Sequence, residues 1–234
     1  MPTPRKLHDE FFKRAKAEGY LARSAYKLIE INDKKRIIRS GDKVIDLGCA
    51  PGSWLQVTED IIGDEGLALG IDLQEITHNF GPSIGTFVGD AFKTDPAELL
   101  EFFRGARADA LISDMAPNTT GHGDDLLSAR LCRRVLELAP YVLRPGGHLV
   151  MKVLEGGDMP ELLNETRAVF RECGATKPAA SRDISREIFI WAKGFSGATR
   201  KPAPPAAKNT KPTSAGWGRE NEDMGGNNGV PRPR

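Results

Sequence analysis

From residue 43 onward, two kinds of hydrophobic pattern alternate along the chain. Short apolar runs are typical of buried strands, and longer stretches with an apolar residue every three or four positions indicate amphipathic helices. We predict strands at 43–47, 67–72, 84–88, 108–113, 147–153 and 187–193, and helices at 53–62, 95–104, 124–140 and 159–172. This alternation predicts an α/β fold, in which helices cover both faces of a doubly wound, mostly parallel sheet.

Three further patterns set the organisation of the chain. Residues 8–17 and 22–36 have helical periodicity and precede the first strand, and residues 175–180 lie close enough to the last strand to pair with it as an antiparallel edge. Residues 195–234 contain six Gly and six Pro and few apolar residues, which predicts a disordered tail. We therefore expect a basic helical extension at 1–42, an α/β domain at 43–194 and a basic tail at 195–234.

The net charge of +1 hides an uneven distribution of charge. Residues 1–43 contain 12 basic and 6 acidic side chains, residues 44–194 contain 14 and 23, and residues 195–234 contain 7 and 3. Basic flanks around an acidic core are typical of a protein that binds a polyanion such as RNA. The alternative is that these flanks only make the fold soluble, and charge alone does not decide between the two.

Composition also bounds the class of protein. Hydrophobic residues make up 39% of the chain and charged residues 28%, as in globular proteins. Without a run of about 20 apolar residues or an apolar signal at the N-terminus, we expect a cytoplasmic protein with no membrane span. Cys49, Cys132 and Cys173 have no metal-ligand spacing, so we predict no metal site and assign them no chemistry.

The segment Asp46-Leu-Gly-Cys-Ala-Pro-Gly-Ser-Trp54 joins the first strand to the helix that follows. Such strand–turn–helix segments form the crevice in which α/β folds bind nucleotides, but the spacing here is not G-x-G-x-x-G. Asp72 and Asp90 follow the next two strands. Carboxylates would repel a pyrophosphate, whereas they suit a cationic cofactor that has ribose hydroxyls and an adenine amino group. The pattern therefore favours S-adenosylmethionine over NAD.

Each of these side chains also has a structural interpretation. Asp46 could order the turn, meet the methionine part of the cofactor, or cap the helix. Asp72 is placed to bind ribose hydroxyls, although dinucleotide folds share that position. Asp90 could reach the adenine edge or cap its own loop before Phe92. Trp54 could lie along the cofactor or pack as a buried aromatic.

The residues at the ends of the fourth and fifth predicted strands indicate which atom of the substrate is methylated. Ser113–Pro117 departs from the Asn/Asp-Pro-Pro-aromatic segment of enzymes that methylate base amino groups, and the chain lacks the Pro-Cys pair of cytosine-carbon methylation. Both departures favour an oxygen acceptor. Lys152 follows an apolar run, where an amine is costly to bury. It is a candidate general base, or else a strand-end lysine that reaches water.

Five segments together resemble the FtsJ/RrmJ family of S-adenosylmethionine-dependent ribosomal RNA ribose 2′-O-methyltransferases, of the large-subunit methyltransferase E type. They occur in the family's order within residues 5–194, and they are Ser24–Leu28, Asp46–Trp54, Ser113–Pro117, Val150–Lys152 and Ser185–Ile188. The resemblance implies a Rossmann-like methyltransferase fold over 43–194. It also implies a Lys-Asp-Lys-Glu tetrad, with Lys152 central, that maps onto Lys27, Asp114, Lys152 and Glu187.

The resemblance further implies cofactor contacts at Gly52, Trp54, Asp72, Asp90 and Asp114. Without it, Lys27 is an ordinary helix lysine and Glu187 a surface charge. The implied activity is 2′-O-methylation of a uridine in 23S ribosomal RNA on the assembling large subunit. Because the sequence has no unexplained long apolar stripe, we expect a monomer. A tRNA ribose methyltransferase and a non-catalytic RNA-binding relative remain alternatives. A nucleotide-dependent oxidoreductase is disfavoured by the glycine spacing and by Asp46 and Asp90.

Overall fold

The computed structural model describes residues 5–117, 123–156, 158–181 and 185–197. The helices are α1 (Arg5–Ala17), α2 (Ala25–Lys35), α3 (Ser53–Ile62), α4 (Pro96–Glu101), α5 (Asp124–Val142) and α6 (Met159–Arg167). The strands are β1 (Lys43–Leu47), β2 (Leu67–Asp72), β3 (Ile84–Val88), β4 (Ala108–Ser113), β5 (Leu143–Leu154), β6 (Phe170–Thr176) and β7 (Glu187–Phe195). Over these ranges no helix is long and apolar enough to cross a membrane. Most of the predicted tail lies outside the described residues.

All seven strands form one sheet, in the order β3-β2-β1-β4-β5-β7-β6. Strands β1 to β5 are parallel to their neighbours in this set, and β7 is antiparallel to both β5 and β6. The predicted doubly wound, mostly parallel sheet is therefore confirmed. The antiparallel strand is β7. It is the second strand from this end of the sheet, and β6 is the edge strand.

The boundaries near the C-terminal end of the sheet differ from the prediction. The helix expected at 159–172 ends at Arg167, and the strand expected at 175–180 is β6, which begins at Phe170. Phe170 is the reason, because its ring is buried 5.4 Å from the ring of Phe195, its partner in the β6–β7 ladder. An apolar position that suits a helix face thus belongs to a strand instead.

Strand β5 starts earlier than expected. The segment Leu143–Gly147, which the sequence suggests is a turn before the strand, is already part of β5, and Leu143 pairs with Ala108. The register between β4 and β5 then shifts between Ala108 and Ala110, as at a bulge.

Alternate side chains of the central strands enter two separate cores. Ile45 and Leu47 pack on the face that α5 covers, whereas Val44 packs on the opposite face with Trp54 of α3. Leu28 of α2 is fully buried in this second core. The α2 helix, which we predicted as part of an N-terminal extension, therefore packs directly against the sheet.

Asn32 fixes the chain where α2 ends. Its buried side-chain oxygen accepts hydrogen bonds from the backbone N–H groups of Ile37 (2.9 Å) and Ile38 (2.8 Å), and its amide donates to the Ile38 carbonyl (3.1 Å). The two isoleucines are themselves buried. This side chain therefore holds the connection from α2 towards β1 in place.

We expect Asn32→Ala to lower the free energy of unfolding by about 2–4 kcal/mol, because it leaves buried backbone groups without partners. Asp33→Ala, which changes the exposed neighbour on the same helix, is the matched control and should cost less than about 0.5 kcal/mol. Urea denaturation of both variants measures the difference. Equal stability of the two variants would contradict this role.

Candidate active site

A cavity of about 540 Å³ lies where the carboxyl ends of five parallel strands meet. Each strand end contributes to its wall, through Gly48 after β1, Asp72 after β2, Asp90 after β3, Asp114 after β4 and Lys152 within β5. This is the edge at which open α/β sheets bind ligands, and the volume is that of a small-molecule site.

The loop after β1 is folded against the neighbouring strands. Gly48 has a φ of +78°, and a Cβ atom there would lie 2.5 Å from Cγ of Met115. The Ala50 N–H donates a hydrogen bond of 3.0 Å to Oδ2 of Asp72. Glycine at position 48 is therefore needed both for the backbone conformation and for the close approach of the β4 loop.

Asp72 and Asp90 line the cavity and also brace their own loops. The two oxygens of Asp72 accept one hydrogen bond each, from the N–H groups of Ala50 and Gln74. Oδ1 of Asp90 accepts from the Phe92 N–H at 3.0 Å, so the loop-capping interpretation describes part of its role. Because a carboxylate has about four acceptor positions, both side chains can still accept bonds from ligand hydroxyl or amino groups.

Lys152 is held at the floor of the cavity by Asp114. Its amine donates a 2.6 Å hydrogen bond to the Asp114 carbonyl oxygen and lies 3.0 Å from Oδ1 of the same residue. The Lys152 side chain is only 7% exposed, which excludes the interpretation that it extends to water. On the far side, the Cys132 thiol donates to the Lys152 carbonyl at 3.0 Å. The thiol is buried, which raises the pKa of Cys132 to about 12.

A second ion pair joins α2 to the start of β7. The Lys27 amine donates a 2.7 Å hydrogen bond to Oε2 of Glu187. Burial raises the pKa of Glu187, but the charge and hydrogen bond of Lys27 and the charge of Lys152 outweigh it, so the pKa is lower than its ordinary value. The charge of Lys152 acts on Glu187 because their strands are adjacent, with Lys152 opposite Phe189 in the β5–β7 ladder.

The four residues of the implied tetrad therefore form two neighbouring ion pairs. Lys152 and Asp114 line the cavity, whereas Lys27 and Glu187 lie beside it and do not. Ser24, one helical turn before Lys27, does reach the wall. Over the residues that the structure describes, no group of His, Cys, Asp and Glu side chains could hold a metal ion.

Gly52 and Trp54 do not line the cavity. Trp54 is 2% exposed, its ring lies 5.8 Å from that of Phe189, and its Nε1 donates to the Ser24 carbonyl at 2.9 Å. Trp54 is therefore a buried packing residue. It can affect the cavity only indirectly, through Ser24, which lines the wall. Gly52 begins α3 with a φ of +110°, and a Cβ atom there would lie 2.9 Å from the Phe80 ring.

Asp46 does not cap α3, because the cap residue is Gly52 and no side chain bonds to that helix end. This alternative from the sequence is wrong. The Asp46 carboxylate is completely buried, and neither oxygen has a hydrogen-bond partner among the described residues. Burial raises the pKa of Asp46 well above its ordinary value, and the nearby charges of Asp114 and Asp72 add to the effect.

The sequence does not indicate the three residues of α5 that line the cavity, which are Leu127, Arg130 and Leu131. The Arg130 guanidinium lies 5.0 Å from the centre of the Phe92 ring. An exposed arginine on a helix is ordinarily a solvated charge, so no pattern within α5 itself singles it out. Only the pairing of the helix with the loop after β3 gives it a place at the site.

The strand order and the cavity at the strand ends define the class of Rossmann-like methyltransferases. A family model described as FtsJ-like methyltransferase matches residues 20–195, so this chain belongs to the FtsJ-like methyltransferase family. The resemblance identified from the sequence is confirmed, and with it S-adenosylmethionine as the cofactor.

Individual relatives agree with the family assignment. The chain is 41% identical to the ribosomal RNA large subunit methyltransferase E of Syntrophobacter fumaroxidans, over 79% of this chain and 94% of that protein. It is 43% identical to the protein of the same name from Methanothrix thermoacetophila, over 81% and 73%. A Plasmodium falciparum protein crystallised as a candidate ribosomal RNA methyltransferase superposes with a TM-score of 0.67 at 26% identity, covering 76% of this chain and all of that one.

We expect Glu187→Gln to lower the free energy of unfolding at pH 7 by about 1 kcal/mol, because the Lys27 amine loses its charged partner. Since the folded pKa of Glu187 is lowered, its stabilising contribution is present above the ordinary value of 4.5 and is lost as the pH falls below it. The difference from the unaltered protein should therefore shrink below about pH 4.5.

Urea denaturation between pH 4 and pH 8 measures this dependence. Glu172→Gln, which changes an exposed glutamate on β6, is the control and should show neither the loss nor the pH dependence. A deficit that stays constant down to pH 4 would contradict the ion-pair explanation.

Proposed function

We propose that this protein transfers a methyl group from S-adenosylmethionine to a ribose 2′-hydroxyl, and that its target is a uridine of 23S ribosomal RNA in the large subunit. The observation that carries the proposal is the nearly buried Lys152 amine, held by Asp114 in the wall of a cavity otherwise rich in carboxylates. The names of the relatives support ribosomal RNA of the large subunit as the substrate.

The residues of the cavity suit the chemistry of this cofactor. Asp72 and Asp90 keep unused acceptor positions, and Asp114 adds a third carboxylate, whose Oδ1 lies 3.0 Å from the Lys152 amine. Asp46 adds a completely buried carboxyl, and the nearby charges of Asp114 and Asp72 add to the effect of burial in raising its pKa. These groups match ribose hydroxyls, an adenine amino group and a positive charge. When bound, S-adenosylmethionine supplies a methyl group that its sulfonium already activates.

The protein's task is then to present the acceptor oxygen. In this proposal the Lys152 amine orients the ribose hydroxyl and stabilises the negative charge that develops on its oxygen, while the hydroxyl proton passes to this amine or to water. Asp114 fixes the amine, and the Lys27–Glu187 pair sets the field around it and aligns the ribose or its phosphate. Positioning and electrostatic stabilisation of this kind contribute several kcal/mol each.

The surroundings of the site are consistent with an RNA substrate. The first 43 residues contain 12 basic side chains against 6 acidic ones, and α2 joins this segment to the tetrad through Lys27. Target choice in RNA enzymes depends on RNA shape and on dispersed basic contacts. The same catalytic residues would serve a tRNA ribose, and it is the relatives that favour ribosomal RNA. We further propose that the enzyme acts as a cytoplasmic monomer.

We expect Lys152→Ala to reduce methyl transfer by at least a hundredfold while it leaves the affinity for S-adenosylmethionine within about threefold, because the amine acts on the acceptor oxygen. Transfer of a labelled methyl group to isolated large subunits measures the first quantity, and equilibrium dialysis of the cofactor measures the second. Lys43→Ala, at the amino end of the central strand β1 and therefore opposite the cavity, is the control and should retain full activity. Full activity of Lys152→Ala would refute the assignment.

A further inference from the structure

The loop after β3 folds back on itself next to the cofactor side of the cavity. Within it, the Asp90 carbonyl accepts hydrogen bonds from the backbone N–H groups of Lys93 (2.8 Å) and Thr94 (2.9 Å) and from the Thr94 hydroxyl (2.9 Å). Asp90, Ala91 and Phe92 line the cavity. The exact place of this loop therefore determines where the Asp90 carboxylate stands in the site.

Arg134 of α5 attaches this loop to the helix. Its Nε donates a 2.8 Å hydrogen bond to the Ala91 carbonyl, and one terminal nitrogen lies 3.4 Å from the Thr94 carbonyl. The other terminal nitrogen lies 3.4 Å from Glu137 on the same helix. The Arg134 side chain is 18% exposed, so these contacts are made largely away from water.

Arg130, one turn earlier on α5, reinforces the attachment. Its guanidinium lies over the Phe92 ring, next to the carbonyl that Arg134 holds. Two arginines on one face of α5 thus hold consecutive residues of the loop, one through a carbonyl and one through an aromatic ring. Arg130 also lines the cavity, whereas Arg134 does not, so only Arg134 can be tested as a residue that acts through the loop.

We propose that Arg134 is a positioning residue for the cofactor, which sets the affinity for the adenosine part by fixing the Asp90 loop before binding. The proposal rests on the cofactor and activity proposed above. A loop that is already ordered does not lose conformational freedom when a ligand binds, and so the ligand binds more tightly. Lysine cannot replace the arginine fully, because only a guanidinium offers several donors in a fixed plane.

The neighbouring Arg133 provides a matched control. It lies on the same helix, but it makes ion pairs with Asp158 (2.8 Å), Glu165 (3.1 Å) and Glu161 (3.5 Å) in and beside α6. Removing it should affect stability without affecting the loop after β3. A comparison of Arg134→Ala with Arg133→Ala therefore separates loss of positioning from general loss of stability.

Calorimetric titration with S-adenosylhomocysteine and with 5′-methylthioadenosine, which keeps the adenosine part but lacks the amino-acid chain, measures the effect directly. We expect Arg134→Ala to weaken both ligands about tenfold, which is about 1.4 kcal/mol. Arg134→Lys should weaken them about threefold, and Arg133→Ala should bind as the unaltered protein does. In steady-state assays, Arg134→Ala should raise the KM for S-adenosylmethionine and leave kcat and the KM for RNA within about twofold.

Hydrogen exchange of residues 90–94 in the unliganded protein should also be faster in Arg134→Ala than in Arg133→Ala. Equal affinities of the two alanine variants, or a loss in Arg134→Ala that affects only RNA, would overturn the proposal. If Arg134→Ala does not fold, Arg134→Lys decides, because unchanged affinity there would also overturn it. If the unaltered protein binds neither ligand, it is the proposed function that fails.

Discussion

The amine of Lys152 is the constraint around which the site is built. An ammonium group removed from water is costly unless charged or polar partners replace its hydration. Here the carbonyl and the carboxylate of one residue, Asp114, provide those partners at 2.6 and 3.0 Å. Because these two residues lie at the ends of adjacent parallel strands, β4 and β5, the pairing of the sheet itself brings them together.

The rest of the tetrad depends on contacts between distant parts of the chain. Lys27 and Glu187 are 160 positions apart, and they meet because α2 packs into the same core as α3 and β7. The antiparallel β7 then places Glu187 near Lys152, whose charge helps to lower the pKa of Glu187. Helix α2, which its basic charge suggested was part of an extension, therefore contributes Lys27 to the tetrad. The family match agrees, because it begins at residue 20, before α2.

The sequence predicts the strands well because buried parallel strands are continuous apolar runs, and β1 to β4 begin and end where predicted. It misplaces β6, because Phe170 suits a helix face as well as a strand until its partner Phe195 is known. For the site, strand-end positions make Asp72, Asp90 and Lys152 candidates, and all three line the cavity, whereas Asp114 is singled out only by the resemblance. Lys27 and Glu187 are identified only by the resemblance. Each becomes part of the tetrad through its ion pair with the other, and the sequence does not show that contact.

Other features cannot be read from the sequence at all. Whether Trp54 faces a cofactor or the core depends on the direction of one side chain, and Arg134 acquires a role only from the loop that packs beside α5. For Asp46 the sequence does show the position, at a strand end. It does not show that the carboxylate is completely buried and has no hydrogen-bond partner among the described residues. Such features arise from packing between elements that sequence periodicity treats separately.

If a ribose oxygen is placed beside the Lys152 amine, the transferred methyl group must be found on that oxygen, and its position can be measured. Isolated large subunits, naked ribosomal RNA and tRNA would each be incubated with the enzyme and methyl-labelled S-adenosylmethionine, digested to nucleosides and analysed by mass spectrometry. We predict label in a 2′-O-methyluridine from the large-subunit RNA. Label on a nucleobase would contradict it.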